Sequence, residues 1–236
     1  MTEGAQLADL AGLLADETRA TFCLALLDGR AWTAGELARH AGVAPSTATE
    51  HLHRLIRGGF LVEERQGRHR YVRLAGPSVA TLIEDLSAHR APVAPTHTLR
   101  AATVSAAMAR ARTCYDHFAG RLGVAITDAM TEAGLLEQAG GVALTAAGRA
   151  WLTDVFGASW PSSRRPVARG CLDWTERRVH LAGQAGARIC QYALEQRWVR
   201  PIGSSRAVQV TPDGSRALAQ HLGITWSVVA AADAKD

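Results

Sequence analysis

Two short helices with marked ends follow each other between residues 33 and 59, and they constrain the fold more than any other feature. Thr33 and Glu36 form a capping box, the reciprocal pairing that opens a helix. The second helix begins at Pro45, a residue preorganised for the first helical position, and closes before Gly59. A turn of a few residues separates the two helices. This order predicts a helix-turn-helix.

The chain on either side of this pair completes a small domain. Apolar residues recur at helical spacing over 7–14 and 20–27, which predicts two earlier helices. Apolar runs at 60–62 and 71–74 flank a polar turn at Gly67 and predict a β-hairpin. A fifth amphipathic helix follows. We therefore predict a winged helix-turn-helix domain over residues 1–90.

The remainder of the chain predicts a second domain. Residues 91–97 are rich in alanine and proline and are typical of a linker. Residues 98–236 favour a helical domain with one or two hairpins, and 98–132 in particular is predicted to be helical. Two stretches, 144–152 and 210–218, resemble each other, and each is expected to lead from a hairpin into a helix. The predicted fold class is mainly α with small β-hairpins.

Charge is concentrated in the predicted helix-turn-helix. The net charge is only +4. Residues 39–73, however, carry seven arginines and four histidines against three glutamates, whereas residues 1–38 carry two arginines against six acids. A basic segment next to an acidic one indicates one surface directed at a polyanion. Double-stranded DNA is the expected partner.

The second helix of the pair has the two faces that DNA reading requires. On a helical wheel Ala48, Leu52 and Leu55 fall on one side and polar residues on the other. Arginines also gather at the hairpin tip, where a wing contacts the DNA backbone or minor groove. The alternative is a winged helix that binds a protein and never contacts DNA. The predicted DNA-binding residues are Ser46, Thr47, Thr49, Glu50, His51, His53, Arg54 and Arg57 on the helix and Arg65, Arg68 and Arg70 on the hairpin.

A family resemblance appears in these same segments. The chain resembles an ArsR/SmtB-type winged helix regulator over about residues 8–88. The stretches that carry the resemblance are Ala-Asp-Glu-Thr-Arg at 15–19, Glu-Leu-Ala at 36–38, Ser-Thr-Ala-Thr-Glu-His-Leu at 46–52, Gly-Phe-Leu-Val at 59–62, and Gly67-Arg68 with Tyr71.

The resemblance implies a homodimer that represses transcription from an operator and leaves it when an effector binds. It also implies that the first and fifth helices form the dimer contact. The apolar stripes of these helices agree with that role, although such stripes would equally close the core of a monomer. The stripes are Leu7, Leu10 and Leu14, and Val79, Leu82, Ile83 and Leu86.

No metal site and no cofactor are predicted from the places where this family binds metals. Metal-sensing members carry a cysteine pair in the helix before the recognition helix, or Asp and His ligands on the last helix. Here the corresponding helix, 34–40, has no cysteine. The last helix offers Glu84, Asp85 and His89, whose spacing points them in different directions.

The second domain is expected to bind an effector, and a small organic molecule is the tentative ligand. The tentative pocket comprises Tyr115, His117, Cys171, Trp174 and His180. Residues 173–180 are interpreted as a helix with an Asp173–Arg177 ion pair. A continuous helix would place Cys171 and His180 on opposite faces, so no enzymatic activity is expected.

Cys171 also suggests an alternative mode of regulation. Arg164, Arg165 and Arg169 lie nearby in the sequence, and cationic neighbours activate a thiol, so a thiol- or redox-responsive regulator is the second hypothesis. The alternative is that Cys171 is a small apolar side chain buried in the core, with no role in regulation. The four cysteines are widely spaced, and the chain lacks a signal peptide and a membrane-spanning apolar run. A reduced cytoplasmic protein is expected.

Overall fold

The computed structural model describes residues 2–67, 69–89, 99–163, 165–203 and 205–231. The chain divides into two compact units, Met1–Ile83 and Glu84–Asp236. The predicted linker at 91–97 lies outside the described residues. Within the described residues no helix is long and apolar enough to span a membrane.

The first unit is a winged helix. An antiparallel sheet in the order β1-β3-β2 packs beside its helices, which confirms the predicted hairpin and helix-turn-helix. Its elements are α1 (Glu3–Leu14), α2 (Glu17–Leu26), β1 (Trp32–Thr33), α3 (Ala34–Ala41), α4 (Pro45–Arg57), β2 (Leu61–Gln66), β3 (His69–Leu74) and α5 (Pro77–Ala88), whose last residues belong to the second unit.

Side-chain caps set the helix boundaries in this unit. Asp16 accepts a hydrogen bond from the backbone N–H of Arg19 at the start of α2, and the capping box of Thr33 and Glu36 opens α3. Arg19 is itself buried and donates to the carbonyls of Gly12 (2.9 Å) and Leu13 (2.5 Å). Those carbonyls lie at the end of α1, where helical acceptors lack partners. The arginine thus fastens α1 to α2.

The core of the first unit excludes α1. Leucine and phenylalanine side chains from α2, α3, α4 and the hairpin fill that core, among them Phe22, Leu37, Leu55 and Phe60. No residue of α1 is buried in the chain by itself, and Leu7 is 68% exposed. The α1 stripe is therefore exposed at Leu7 and Leu10 but half-buried at Leu14, while Ile83 of the α5 stripe is buried, so both alternatives left open by the sequence remain.

The second unit after α5 consists of two similar halves. Apart from one additional helix at the start of the first half and one at the end of the second, each half runs hairpin, helix, hairpin, helix, so the described part of this unit contains four hairpins where one or two were expected. The first half comprises α6 (Leu99–Arg110), β4 (Arg112–Cys114), β5 (His117–Ala119), α7 (Gly120–Glu132), β6 (Leu136–Glu137), β7 (Ala143–Leu144) and α8 (Ala146–Phe156). The second half comprises β8 (Arg169–Leu172), β9 (Val179–Ala182), α9 (Gly183–Glu195), β10 (Val199–Pro201), β11 (Val208–Val210), α10 (Pro212–Leu222) and α11 (Trp226–Ala231).

Equivalent glycines allow the two halves to pack closely. A Cβ atom at Gly123 of α7 would overlap the carbonyl of Phe118, and one at Gly186 of α9 would overlap the carbonyl of Leu181. Because glycine removes this overlap, each helix can start tightly against its own hairpin. Helix α7 also packs on β9, and α9 packs on β5. The halves are therefore intertwined around one apolar core.

Two helical predictions in this unit are wrong. Residues 98–132 contain the β4–β5 hairpin between α6 and α7, and residues 173–180 form the turn and second strand of the β8–β9 hairpin. Asp173 explains the second error, because its side chain accepts from the N–H groups of Thr175 and Glu176 and so stabilises a turn instead of a helix. The expected Asp173–Arg177 pair gives way to an ion pair between Asp173 and Arg112.

Candidate DNA interface and a buried Cys-His cluster

The recognition helix α4 has the two faces that the sequence predicted. Ala48, Leu52 and Leu55 are buried against the domain. The opposite face is exposed, and its first turn carries hydroxyl groups suited to bases or phosphates. The predicted DNA-binding residues that lie exposed on α4 are Ser46, Thr47, Thr49, Glu50, His53, Arg54 and Arg57.

The polar groups on this face make only surface interactions. Thr49 Oγ1 donates to the carbonyl of Pro45 at 2.8 Å, and Arg54 forms an ion pair with Glu50 at 2.7 Å. An exposed pair of this kind contributes at most about 1 kcal/mol. Arg54 can therefore exchange Glu50 for a phosphate at little energetic cost.

His51 is positioned differently from the other predicted residues. Its side chain is half-buried, and Nδ1 lies 3.3 Å from Arg19 Nη1 and 3.5 Å from Asp16 Oδ1. These groups belong to the corner between α1 and α2. His51 therefore also holds α4 against that corner, and its predicted contact with DNA stays a prediction.

The wing presents arginines that are partly neutralised. Arg65 and Arg70 are cross-strand neighbours, and both bind Glu63, with 3.2 Å between Arg65 Nε and Glu63 Oε1. The hydrogen bond from Arg70 lowers the pKa of Glu63. Arg68, the third predicted contact on the wing, lies outside the described residues.

A buried cluster of two cysteines and two histidines lies in the second unit. Cys114, His117, Cys171 and His180 each offer one ligand atom, and these atoms all lie within 4.8 Å of one another. Three of the four belong to the predicted effector pocket, while Cys114 was missed. The signal that could have found it is the repetition of Cys-x-Asp at 114 and 171, followed by His-x-Ala-Gly at 117 and 180.

The two hairpins bring the four side chains together in an equivalent way. Cys114 pairs across the strands with His117 in β4–β5, and Cys171 pairs with His180 in β8–β9. Directly paired residues on one sheet face have neighbouring side chains. The two imidazole rings stack, and their Nε2 atoms are 3.2 Å apart. The expectation that Cys171 and His180 point in opposite directions is wrong, because it assumed a helix.

An aspartate stands behind each histidine. Asp116 Oδ1 is 3.4 Å from His117 Nδ1, and Asp173 Oδ2 is 3.6 Å from His180 Nδ1. Each aspartate lies two residues after its cysteine. Both ring nitrogens of each histidine are thus directed, one toward the cluster and one toward a carboxylate.

An arginine in turn binds each aspartate. Arg165 holds Asp116 through both carboxylate oxygens, at 2.5 and 2.8 Å. Arg112, fully buried, donates to Asp173 Oδ2 at 2.9 Å, and Gly120 N–H donates to the same oxygen at 2.6 Å. Burial alone would raise the pKa of Asp173, but the charges of Arg112 and His180 outweigh it and hold that pKa well below its ordinary value.

The surroundings of the cluster change the acidity of its thiols and of His117. A hydrogen bond from the Cys114 thiol, together with those from His117 and His180, lowers the pKa of the Cys171 thiol despite its burial, while burial raises the pKa of Cys114. Burial opposes protonation of His117, but Asp116 and Cys171 outweigh it and raise the pKa of that histidine to about 9. The arginines near Cys171 in the sequence are not the main cause, since Arg165 binds Asp116.

The other two residues of the predicted pocket lie in the hairpin turns. Tyr115 is half-buried in the β4–β5 turn, and Trp174 is 40% exposed in the β8–β9 turn, with Arg112 Cζ 4.7 Å from its ring centroid. An apolar cavity in the same unit is lined by other residues, including Phe118, Trp198 and Leu218. None of the five predicted pocket residues lines that cavity.

One carboxylate of the second unit also lies near the cluster. Glu84, where the second unit begins, is buried, and its Oε2 lies 3.5 Å from Cys171 Sγ. Burial raises the pKa of Glu84 to about 7. His89 is exposed. The expectation that no metal is bound rested on helices α3 and α5, and the Cys-His cluster lies elsewhere, so that expectation stays untested.

Comparison with known proteins assigns the family. A model of a helix-turn-helix domain matches residues 14–64. The uncharacterized HTH-type transcriptional regulator YdfF of Bacillus subtilis (strain 168) is 36% identical over 221 residues, which cover 92% of this chain and 97% of that protein. The chain therefore belongs to the helix-turn-helix transcriptional regulators.

The solved structures that are similar to this chain match only about a third of its length. Reduced HlyU from Vibrio cholerae N16961 is 26% identical over 34% of this chain and 84% of its own, with a TM-score of 0.32. The homodimeric winged helix-turn-helix DNA-binding domain of Mb0332 from Mycobacterium bovis, a possible ArsR-family regulator, is 27% identical over 39% of this chain and 89% of its own, with a TM-score of 0.33.

Proposed function

We propose that the protein is a homodimeric, sequence-specific repressor that leaves its operator when an effector binds the second unit. The observation that carries this proposal is the exposed polar face of α4, which lies opposite a fully buried apolar face. Such a helix is held rigidly from behind and is accessible from the front. That is the requirement for a helix that enters a major groove.

The distribution of side chains on α4 and the wing divides their roles. Thr49 and Glu50 lie near the start of α4, where a recognition helix contacts base edges. Arg54 and Arg57 lie toward its end, and Arg70 lies on the wing; these are better suited to phosphates. Base contacts would set sequence preference, whereas phosphate contacts would add affinity for any DNA.

The exposed apolar residues of α1 and α5 support a homodimer. Leu7 is 68% exposed and Leu10 41% exposed on α1, and Leu86 is 51% exposed on α5. Apolar side chains grouped at helical spacing on an otherwise soluble protein indicate a contact surface. A two-fold dimer would read a roughly palindromic operator, with half-sites ~34–36 Å apart or a multiple of that distance.

A fluorescence-anisotropy titration against the protein's own upstream DNA tests the proposal. We expect binding that survives competitor DNA and weakens steeply between two salt concentrations. Arg70→Ala should weaken binding to operator and random DNA alike, while Thr49→Val should lose operator preference. Arg216→Ala, an exposed arginine of the second unit, is the matched control and should change neither.

Two results would contradict the proposal. Identical behaviour of Arg70→Ala and Thr49→Val would refute the division of roles, and absence of binding above the non-specific level would favour a winged helix that binds protein. Transcription from the same promoter in vitro tests the direction of control, and repression is expected.

The proximity of Cys114 and Cys171 favours a second candidate, a thiol switch. Two thiols and one molecule of hydrogen peroxide would give a Cys114–Cys171 disulfide and two molecules of water, which balances the step. Operator affinity measured before and after peroxide tests it, with Cys171→Ser as the variant and Cys190→Ser as the buried-cysteine control. An affinity that peroxide leaves unchanged would remove this candidate.

A further inference from the structure

We infer that Cys114, His117, Cys171 and His180 form a tetrahedral site for one divalent transition-metal ion of the zinc class, and that this ion is the effector of the second unit. The first part stands on the cluster alone. The second part rests on the proposed function. None of these four ligands lies at the metal-binding positions that the family resemblance implies.

The donor set matches one class of ion. Two sulfur and two imidazole nitrogen atoms are the ligands of tetrahedral Zn²⁺. No carboxylate belongs to the four-residue cluster, and Mg²⁺ or Ca²⁺ would require oxygen ligands. The four ligands therefore select a borderline-soft ion with tetrahedral preference.

The spacing of the donors fits the geometry of such an ion. Bonds of about 2.05 Å to nitrogen in a tetrahedron place two nitrogens about 3.3 Å apart, and the Nε2 atoms of His117 and His180 are 3.2 Å apart. Bonds of about 2.3 Å to sulfur place two sulfurs about 3.8 Å apart. All four donor atoms lie within 4.8 Å of one another, so small rotations of buried side chains complete the tetrahedron.

The groups behind the histidines are those that a metal site requires. When a histidine binds metal through Nε2, its Nδ1–H usually donates to a carboxylate that fixes the tautomer. Asp116 and Asp173 lie on these sides of the rings: Asp116 Oδ1 is 3.4 Å from His117 Nδ1, and Asp173 Oδ2 is 3.6 Å from His180 Nδ1, slightly beyond hydrogen-bond distance. The Nε2 atoms of both histidines point into the cluster, where a bound cation would take the place of the proton that these two nitrogens share.

The location of the cluster explains how an ion could act. Each half of the repeat contributes one cysteine and one histidine, so one ion would bridge the β4–β5 and β8–β9 hairpins. Bridging stabilises whichever arrangement of the two hairpins brings the donors closest. An effector shifts an equilibrium only if it binds one of the two arrangements more tightly than the other. Coupling of this kind changes the affinity for the other ligand, here the operator, by about 5- to 150-fold.

The first experiment measures metal binding without DNA. The full chain is prepared under reducing conditions, stripped with a chelator, and titrated with Co²⁺ as a spectroscopic probe. We expect one equivalent per chain, the visible d–d bands of tetrahedral Co²⁺, and sulfur-to-metal charge transfer, all abolished by Zn²⁺. Competition between the unaltered protein and a chromogenic chelator gives the Zn²⁺ affinity, so this measurement does not depend on a variant that folds.

Variants then identify the ligands. Cys171→Ala and Cys114→Ala should each weaken binding by about 100-fold or more, since each removes one of four bonds. Cys190→Ala is the matched control, because Cys190 is a buried cysteine of the same unit outside the cluster. It should retain the full spectrum. Circular dichroism checks that all three variants are folded.

The second experiment repeats the operator titration with the chelated and the Zn²⁺-loaded protein. A change in operator affinity of at least about 5-fold in the unaltered protein, absent in Cys171→Ala, would support the effector role. If metal binds but operator affinity is unchanged, the effector role is overturned and the metal site itself still stands. Bound metal with no operator binding in either state would instead overturn the proposed function. No metal uptake, or equal uptake by Cys171→Ala and Cys190→Ala, would overturn the inference itself.

Discussion

The buried ion pair between Asp173 and Arg112 offers a sharp test of how the second unit is held together. Both side chains are fully buried. Asp173 Oδ2 accepts from Arg112 Nη2 and Gly120 N–H, and Oδ1 accepts from Thr175 and Glu176. Asp173→Asn keeps the size and one acceptor oxygen but removes the charge.

The magnitude follows from these contacts. An asparagine that keeps its oxygen toward Thr175 must turn its NH₂ group toward two other donors, Arg112 and Gly120. Arg112 is then left buried and unpaired, which costs about 3–5 kcal/mol of unfolding free energy. The double variant Arg112→Met/Asp173→Asn removes the orphaned charge. We expect it to be at least about 1.5 kcal/mol more stable than the sum of the single variants predicts.

The assay is guanidinium unfolding of the chelated full chain followed by tryptophan fluorescence. Trp32 is the single tryptophan of the first unit, and the other five belong to the second unit and report its unfolding. Asp213→Asn, in an exposed ion pair with Arg216, is the control and should cost less than about 1 kcal/mol. A loss for Asp173→Asn no larger than the control's would refute the reasoning.

Three further outcomes follow from the structure. Glu63→Gln should tighten binding to any DNA about 2- to 5-fold and steepen its salt dependence, because it releases two wing arginines; anisotropy at two salt concentrations measures this. Leu7→Glu should shift the protein toward a monomer in light scattering, whereas Val228→Glu, equally exposed at 68%, should not. Gly186→Ala should lower the unfolding free energy of the second unit by about 1–3 kcal/mol, since its Cβ would overlap the carbonyl of Leu181; Gly140→Ala, which meets nothing, should be close to neutral.

The winged helix was predictable because its signals are local. The capping box at Thr33 and the glycines after α3 and α4 act within one turn of the chain, and they set the helix ends wherever the domain is placed. The helical spacing of the apolar residues on α4 likewise predicted which face is exposed. The contacts of His51 with Arg19 and Asp16 could not be predicted in this way, because those residues lie at another helix.

The Cys-His cluster shows the opposite case. His117, Cys171 and His180 were grouped from their chemistry, and the repeated Cys-x-Asp pattern was present in the sequence. A helical reading of 173–180 nevertheless separated Cys171 from His180, because spacing alone cannot distinguish a helix from a hairpin with a six-residue turn at 173–178. The sequence by itself determined the helices and caps of the winged helix and the residue types available for chemistry. Only the tertiary structure decided which of these residues meet, since packing of the two halves across α7 and α9 brings distant hairpins into contact.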